Sequence, residues 1–292
     1  MTNLLKAVQS PFGASWEVDY SVAGNTYELP SSKWVLSEVL LVDGLSGDGP
    51  DTLRKTFAYA DGQYDRRERE QYGFGTVSTI EWDTEDSGTE PYRTTVQTYD
   101  VSGYYTKGLP LVKTVLRGTA DKFLETVNTY DLRSLSGGSL PPNFNADNDD
   151  GSAFPALIRT DESQYEGGTT AGLTKTVTYA YDAIGNVTTY SDLGMQGDDP
   201  VVATIAYHDL NNLYIKSTPS SISVDVGGQL RRQRSQVIDQ ANGNITAINQ
   251  SIDEGTQAHY NLTYYPNGNL ERITRPHNSE GDRMHYAYEY DS

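Results

Sequence analysis

The chain has 292 residues, and 22 Lys and Arg against 40 Asp and Glu give it a formal charge of −18. That balance repels phosphate backbones and anionic bilayers, which argues against nucleic-acid and membrane partners and leaves solubility or a basic partner as its purpose. There is no Cys, so disulfides, thiolate catalysis and zinc–thiolate sites are excluded.

Apolar content is thin. Leaving out the 22 Tyr and adding the 27 Gly gives roughly 38%, where ~45–50% is usual. Tyr outnumbers Phe by 22 to 6. A tyrosine packs its ring and keeps its hydroxyl wet, which suits a broad sheet with solvent near both faces. Helix signals are nearly absent, and Thr, Val and Tyr favour half-buried strands.

In chain order, Met1 to Lys6 open directly into strand-like sequence, with no signal peptide and no apolar run of membrane-span length. The mixed charge run from Asp65 to Glu70 reads as cross-strand ion pairing on a sheet surface. Tyr92 to Tyr99 reads as strand. Asp147-Asn148-Asp149-Asp150-Gly151 has the look of a calcium loop, but no frame puts Gly at the sixth position and Glu at the twelfth, so it reads as a solvated loop. Further on, Val177, Tyr179 and Tyr181 alternate with Thr176, Thr178 and Ala180. From this alternation one sheet face should be more apolar than the other. Arg231-Arg232-Gln233-Arg234, the densest basic cluster, reads as a strand surface, with a partner contact as the sharper alternative. His208, His259, His277 and His285 form no metal-binding spacing. Asn242-Gly243 and Asn267-Gly268 are predicted to be two-residue type I′ turns with positive φ at both residues. They close hairpins over Val237 to Ile248 and Leu262 to Ile273.

Internal repetition carries most information. Tyr181-Asp182-Ala183-Ile184-Gly185-Asn186-Val187 aligns without gaps to Tyr264-Tyr265-Pro266-Asn267-Gly268-Asn269-Leu270. Ile238-Asp239-Gln240-Ala241-Asn242-Gly243-Asn244-Ile245 fits with one extra residue. The Asp of such a unit can accept hydrogen bonds from turn amides, Gly supplies a left-handed residue, and Tyr packs across neighbouring strands. The unit has a conformational role and calls for no substrate. Tyr286 to Asp291 reads as the first strand of another repeat, so an unpaired edge with edge-to-edge self-association is expected there.

These units resemble YD repeats, the signature of Rhs proteins, of teneurins, and of the B and C components of bacterial insecticidal toxin complexes. Tyr59 to Gly75, Leu5 to Tyr20 with Pro11-Phe12-Gly13, and Tyr92 to Tyr105 resemble the segment that leads into the repeats of toxin-complex B components. The resemblance implies long hairpins spiralling into a hollow cocoon around a toxic polypeptide, or, as in teneurins, a barrel used in adhesion. The family's self-cleaving site lies near an Asp-Pro-x-Gly pattern. None occurs here, so neither cleavage nor payload is assigned to this chain.

The expectation is therefore an all-β fold of stacked, long, twisted hairpins, an arc of a β-cocoon shell. Residues 1–133 would form the lead-in sheet, 134–170 a loop-rich insertion and 171–292 the clearer repeats, truncated at the C-terminus. The site residues are the repeat turns, with no catalytic residue, metal or cofactor. The expected partners are the remaining repeats of the shell and an enclosed polypeptide, with no nucleic acid and no direct membrane insertion. The setting would be secreted or cell-surface, as part of a larger protein. Two rival classes stand beside this reading. An adhesion or carbohydrate-binding module would use exposed Tyr as a stacking platform and bind glycans. An enzyme would show clustered, perturbed carboxylates in a pocket.

Overall fold

The computed structural model describes residues 4–45, 51–85, 88–134, 138, 140, 152–195, 197–253, 256–278 and 280–291. Among these the regular structure is β-strand throughout, apart from one 3₁₀ turn at Asn211–Leu213. No helix of the described residues is long and apolar enough to cross a membrane. The chain divides into two compact units, Met1–Ser134 with Ser139–Lys175, and Leu135–Gly138 with Thr176–Ser292.

The first unit holds β1 (Ala7–Gln9), β2 (Ser15–Ala23), β3 (Lys33–Val42), β4 (Thr52–Asp65), β5 (Glu70–Trp82), β6 (Pro91–Tyr99), β7 (Pro110–Arg117), β8 (Asp121–Ser134) and β9 (Ala153–Gln164). Each pairs antiparallel with the next. The same rule orders the second unit: β10 (Leu173–Tyr181, within this unit from Thr176), β11 (Val187–Asp192), β12 (Val201–Tyr207), β13 (Pro219–Val226), β14 (Gln229–Ile238), β15 (Ile245–Asp253), β16 (Thr256–Tyr264), β17 (Leu270–His277) and β18 (Arg283–Ala287). The architecture is all-β, built of stacked hairpins in sequence order.

Little is fully buried. In the first unit Leu29 is 2% exposed, held by a loop in which Thr26 N–H donates to Leu29 O (3.1 Å) and Leu29 N–H to Thr26 Oγ1 (3.0 Å). Arg66 fastens the loop from above: it donates to Tyr27 O at 2.8 Å, with its guanidinium 4.6 Å from the Tyr27 ring centroid. Gly62 is the floor under Leu29, because a Cβ there would sit 2.7 Å from Leu29 Cδ2. In the second unit Leu210, Ile238 and Ala258 are the buried apolar side chains among the described residues.

Three sequence expectations need correction. The run Asp65 to Glu70 is the tip of the β4–β5 hairpin rather than a strand surface: Asp65 pairs with Glu70, Arg69 takes φ +56°, and Asp65 Oδ1 accepts the N–H of Arg67 and Glu68, both at 2.8 Å. The stretch 134–170 contains a twelve-residue strand, β9, paired with β8 from Ser134↔Ala153 to Leu124↔Gln164. Pro155 and the charged second half hide it from a pattern search, yet a proline near a strand's start removes only one ladder donor.

Nor are the Asn-Gly turns type I′. Gly243 (φ +80°) and Gly268 (φ +87°) are left-handed, but Asn242 and Asn267 are not. Gly268 N–H donates to Tyr265 O (2.9 Å) and Tyr265 N–H to Asn269 O (2.8 Å), so Pro266 and Asn267 are the central residues of a type I turn and Gly268 is the left-handed residue after it. Proline's fixed φ suits the first central position of that turn. The Asp182 turn has the same two bonds, Gly185 N–H to Asp182 O and Asp182 N–H to Asn186 O, and so does Ser10-Pro11-Phe12-Gly13-Ala14. A two-residue turn with both φ positive does occur, at Gly227-Gly228 between the paired residues Val226 and Gln229.

No atom lies within 4 Å of a Cβ built on Gly268, so strain in the left-handed backbone is the whole cost of a side chain there. Gly268→Val should lower unfolding stability by about 1 kcal/mol or more in urea titration. An unchanged midpoint would mean that the residue is not held left-handed.

Candidate functional site

The tyrosines of the repeats share a construction that the linear motif does not reveal. In front of each, the strand pairing slips by one residue: Thr98/Tyr99, Thr129/Tyr130, Ala180/Tyr181, Ala206/Tyr207 and Thr263/Tyr264. The additional residue lies on the following strand. Thr188, for example, has no partner between Tyr181↔Val187 and Ala180↔Thr189. Such a bulge bends the pair and re-aims the next side chain. Three of these hydroxyls reach back to an earlier strand's first carbonyl, Tyr130 to Pro110 O (3.2 Å), Tyr207 to Val187 O (2.8 Å) and Tyr264 to Ile245 O (2.8 Å), and Tyr290, beyond the last strand, does the same to Leu270 O (2.9 Å). Each acceptor follows directly on an earlier turn, so the bonds tie successive turns together. At the Ile238/Ile245 position the slip is kept, but Ile238 replaces the tyrosine and buries itself instead, at 5% exposure.

The acids of the repeats hold the turns. Asp182 Oδ1 accepts Ile184 N–H (3.0 Å) and Asn186 N–H (2.9 Å), while Oδ2 accepts Asn186 Nδ2 (2.8 Å). Partial burial pushes the Asp182 carboxyl up, but the hydrogen bonds from Asn186, Ile184 and Gly185 outweigh it and hold it below its ordinary value. Asn186 Nδ2 also donates to Lys216 O (2.9 Å), linking this turn to the next connection. Asp239 accepts Ala241 N–H and Asn242 Nδ2, both at 2.9 Å, and Gly243 N–H closes that longer turn onto Asp239 O at 2.7 Å. Asn244 N–H donates to Asn242 Oδ1 and Asn269 N–H to Asn267 Oδ1. Burial raises the Tyr207 and Tyr264 phenols, and for Tyr207 the charge of Asp182 adds to the shift. They are held as neutral donors.

Register also sorts the second unit into two chemically distinct faces, since directly opposed residues share a face. On one lie Val177, Tyr179 and Tyr190, then Val201, Ala203 and Ile205, then Ile222, Val224 and Val226, then Ile248, and then Ala258, Tyr260, Leu262 and Ile273, interrupted by Asp192, Arg232, Arg234, Gln236 and Gln250; Val202, Ala206, Val237 and Ala247 fall on the opposite face. The other carries Thr178, Ser191, Thr204, Ser221, Ser223, Ser235, Asn249, His259, Asn261, Thr263 and Arg272. Along β16 the split shows in exposure: Ala258 is buried and Tyr260 and Leu262 half-buried, while Gln257, His259, Asn261 and Thr263 are exposed.

The remaining candidates fall as follows. His208 Nε2 lies 3.2 Å from Gln236 O, His277 Nδ1 lies 2.7 Å from Gly281 O, and His259 bonds Asn249. Among the described residues no group of His, Asp and Glu is arranged to hold a metal. The Asp147 to Gly151 loop lies outside the described residues. Glu81 takes Lys55 (3.0 Å) and Arg93 (2.6 Å) from the flanking strands, and Glu125 takes Lys122 (2.7 Å) and Tyr165 Oη (3.0 Å). Burial raises the Glu81 carboxyl, but its two cations bring it below the ordinary value; the Lys122 contact does the same for Glu125. Both are held as anions, the reverse of what a general acid needs. A recess of about 640 Å³ lined by Tyr64, Tyr72 and Tyr99 also contains Asp65 and Asp100, whose Oδ1 atoms are taken up by turn amides.

Together these features define a class: a repeat-built antiparallel sheet whose signature residues serve the sheet itself. Comparison with known proteins agrees. Residues 1–106 match the family described as the insecticide toxin TcdB middle/N-terminal region. Among solved structures the chain is similar to TcdB2–TccC3 without its hypervariable C-terminal region, with a TM-score of 0.67 at 12% identity over 91% of this chain and 21% of that one. It is also similar to the Tc holotoxin pore of Photorhabdus luminescens, with a TM-score of 0.65 at 14% identity over 85% of this chain and 18% of that one. At such identities the likeness is one of fold, and the chain spans about a fifth of the length of the structures it matches. No curated protein matches the sequence.

Two outcomes are expected. Tyr264→Phe should retain the fold, as Ile238 does naturally, and lose about 0.5–1.5 kcal/mol in urea titration, the net value of one hydrogen bond. A carboxyl depressed in the folded state stabilises above its unfolded pKa and loses that contribution as pH falls through the folded one. The native chain should therefore lose stability more steeply than Asp182→Asn below about pH 4 in acid titrations followed by circular dichroism. Parallel acid limbs would show that the Asp182 bonds carry no net stability.

Proposed function

We propose that this chain is a structural arc of a β-shell enclosing a polypeptide within a secreted bacterial toxin complex. Its partners are the neighbouring repeats of that shell and the enclosed polypeptide. The chain is not itself an enzyme. Residues 171–292 are its clearest repeats, with 1–133 leading into them and 134–170 between. One observation supports this most directly: Tyr207, Tyr264 and Asp182 spend their polar groups on the turns and strands of the sheet itself. The two-faced sheet of the second unit supports it further, since a wall needs one surface for solvent and another for contents. The match over residues 1–106 and the fold shared with toxin-complex structures point the same way.

Protease protection tests the reading. A polypeptide produced together with the full protein that carries this chain should resist digestion while the protein is folded, and become digestible once acid or urea opens the sheet. Equal digestion in both states would refute enclosure.

A further inference from the structure

The apolar face of the second unit is interrupted by a few polar side chains, and two of them are arginines. Arg232 lies opposite Val224, and Arg234 opposite Ile222 on β13 and Gln250 on β15. Both guanidinium groups therefore stand on the apolar face, two residues apart on β14 and roughly 7 Å from one another along the strand. Both residues are exposed, and neither side chain has an ion pair or hydrogen bond with any described residue. On β12, β13, β14 and β16 the described strand positions of this face hold no carboxylate; Asp192 on β11 is three strands from Arg232, ~14 Å at the usual strand spacing. In the first unit Arg54, Arg93, Arg117, Arg133 and Arg159 are each paired with an acid; in the second, Arg231, Arg272, Arg275 and Arg283 also lack such a pair among the described residues, and what marks Arg232 and Arg234 is their adjacency on the apolar face. In a chain with 40 Asp and Glu, two free guanidiniums set among Ile222, Val224 and Ile248 form a local reversal of charge.

We propose that Arg232 and Arg234 form a carboxylate-recognition site for a polypeptide segment carrying Asp or Glu between apolar residues. A guanidinium binds a carboxylate through paired N–H donors, and flanking apolar surface lowers the local dielectric and strengthens that bond. The apolar neighbours lie one strand away on either side, about 5 Å, so the segment's apolar side chains would flank its acid at alternate positions. A recess of about 170 Å³ bounded by Pro219, Ile222, Arg234 and Gln236 adjoins the pair. Nucleic acid also carries anions, but the net charge of −18 opposes it and the neighbouring side chains are aliphatic. The site goes beyond the shell reading, because it serves a free segment as well as an enclosed one.

The test uses the full chain and three labelled synthetic peptides of alternating apolar and polar residues, identical except for a central Glu, Gln or Lys. By fluorescence anisotropy the Glu peptide should bind about tenfold or more tightly than the Gln peptide, with Lys weakest. The double substitution Arg232→Gln with Arg234→Gln should abolish that preference while circular dichroism and the urea midpoint remain unchanged. Arg272→Gln, on the opposite face, should leave it intact. Equal binding of the three peptides would overturn the proposal. So would an equal loss in Arg272→Gln, or concentration-dependent dimerisation that Arg232→Gln removes, which would make a second copy the occupant. None of these results bears on protease protection, so the site and the shell stand or fall separately.

Discussion

Within each unit the described strands contact chiefly their neighbours in sequence, so register has to be held within the sheet, and one hydrogen bond used repeatedly helps to hold it. A tyrosine hydroxyl crosses to a carbonyl 19 or 20 residues earlier in the chain and fixes one turn against another. A bulge precedes Tyr130, Tyr207 and Tyr264 and re-aims the ring toward that carbonyl. Seven apolar side chains are buried among the described residues, so the hydrophobic term is spread over half-covered Val, Ile and Tyr rather than concentrated in a core. Directional bonds then decide the register that packing alone would leave loose.

Electrostatics follows from the same constraint. On an open sheet most charges remain wet, and exposed ion pairs contribute little each. The pairs that matter lie across strands: Glu81 gathers Lys55 and Arg93 from the two flanking strands, and Arg54 joins Glu38 while lying 5.0 Å from the Trp82 ring centroid. Such pairs work with the backbone ladder by disfavouring slipped registers, which would bring like charges together. The acidic excess thus coexists with local neutralisation on the first unit's strands, whereas Arg232 and Arg234 lie in the second, where no such cross-strand pair occurs among the described residues.

Much of this was legible in the sequence, and the limits are instructive. Alternation at Val177, Tyr179 and Tyr181, the strand at Tyr92 to Tyr99 and the hairpins around Gly243 and Gly268 all follow from side-chain periodicity and turn chemistry. The turn type did not, because Asn-Gly favours a type I′ turn in isolation, whereas Pro266 and the side chain of Asp239 start their turns earlier. The tyrosine hydroxyl's target was equally hidden, since it depends on a bulge residue of the following strand, such as Thr188 or Glu271, that no single-strand pattern marks. Tyr207-His208-Asp209 escaped notice as a repeat because a histidine separates its two signature residues, although Tyr207 makes the same bond as Tyr264. The two-faced character could be expected, but the placement of Arg232 and Arg234 needed the register of β13 against β14.

Strictly consecutive pairing has a genetic consequence. Because each hairpin within a unit touches only those just before and after it, duplicating or deleting one hairpin alters two junctions and leaves every other contact unchanged. Ancestral copies can then lose individual features without collapse, as the isoleucine at 238 shows by standing where its sister units keep a phenol. Such a sheet can lengthen in evolution by counting, its extent set by the number of copies inherited and its curvature by the slip that each copy carries.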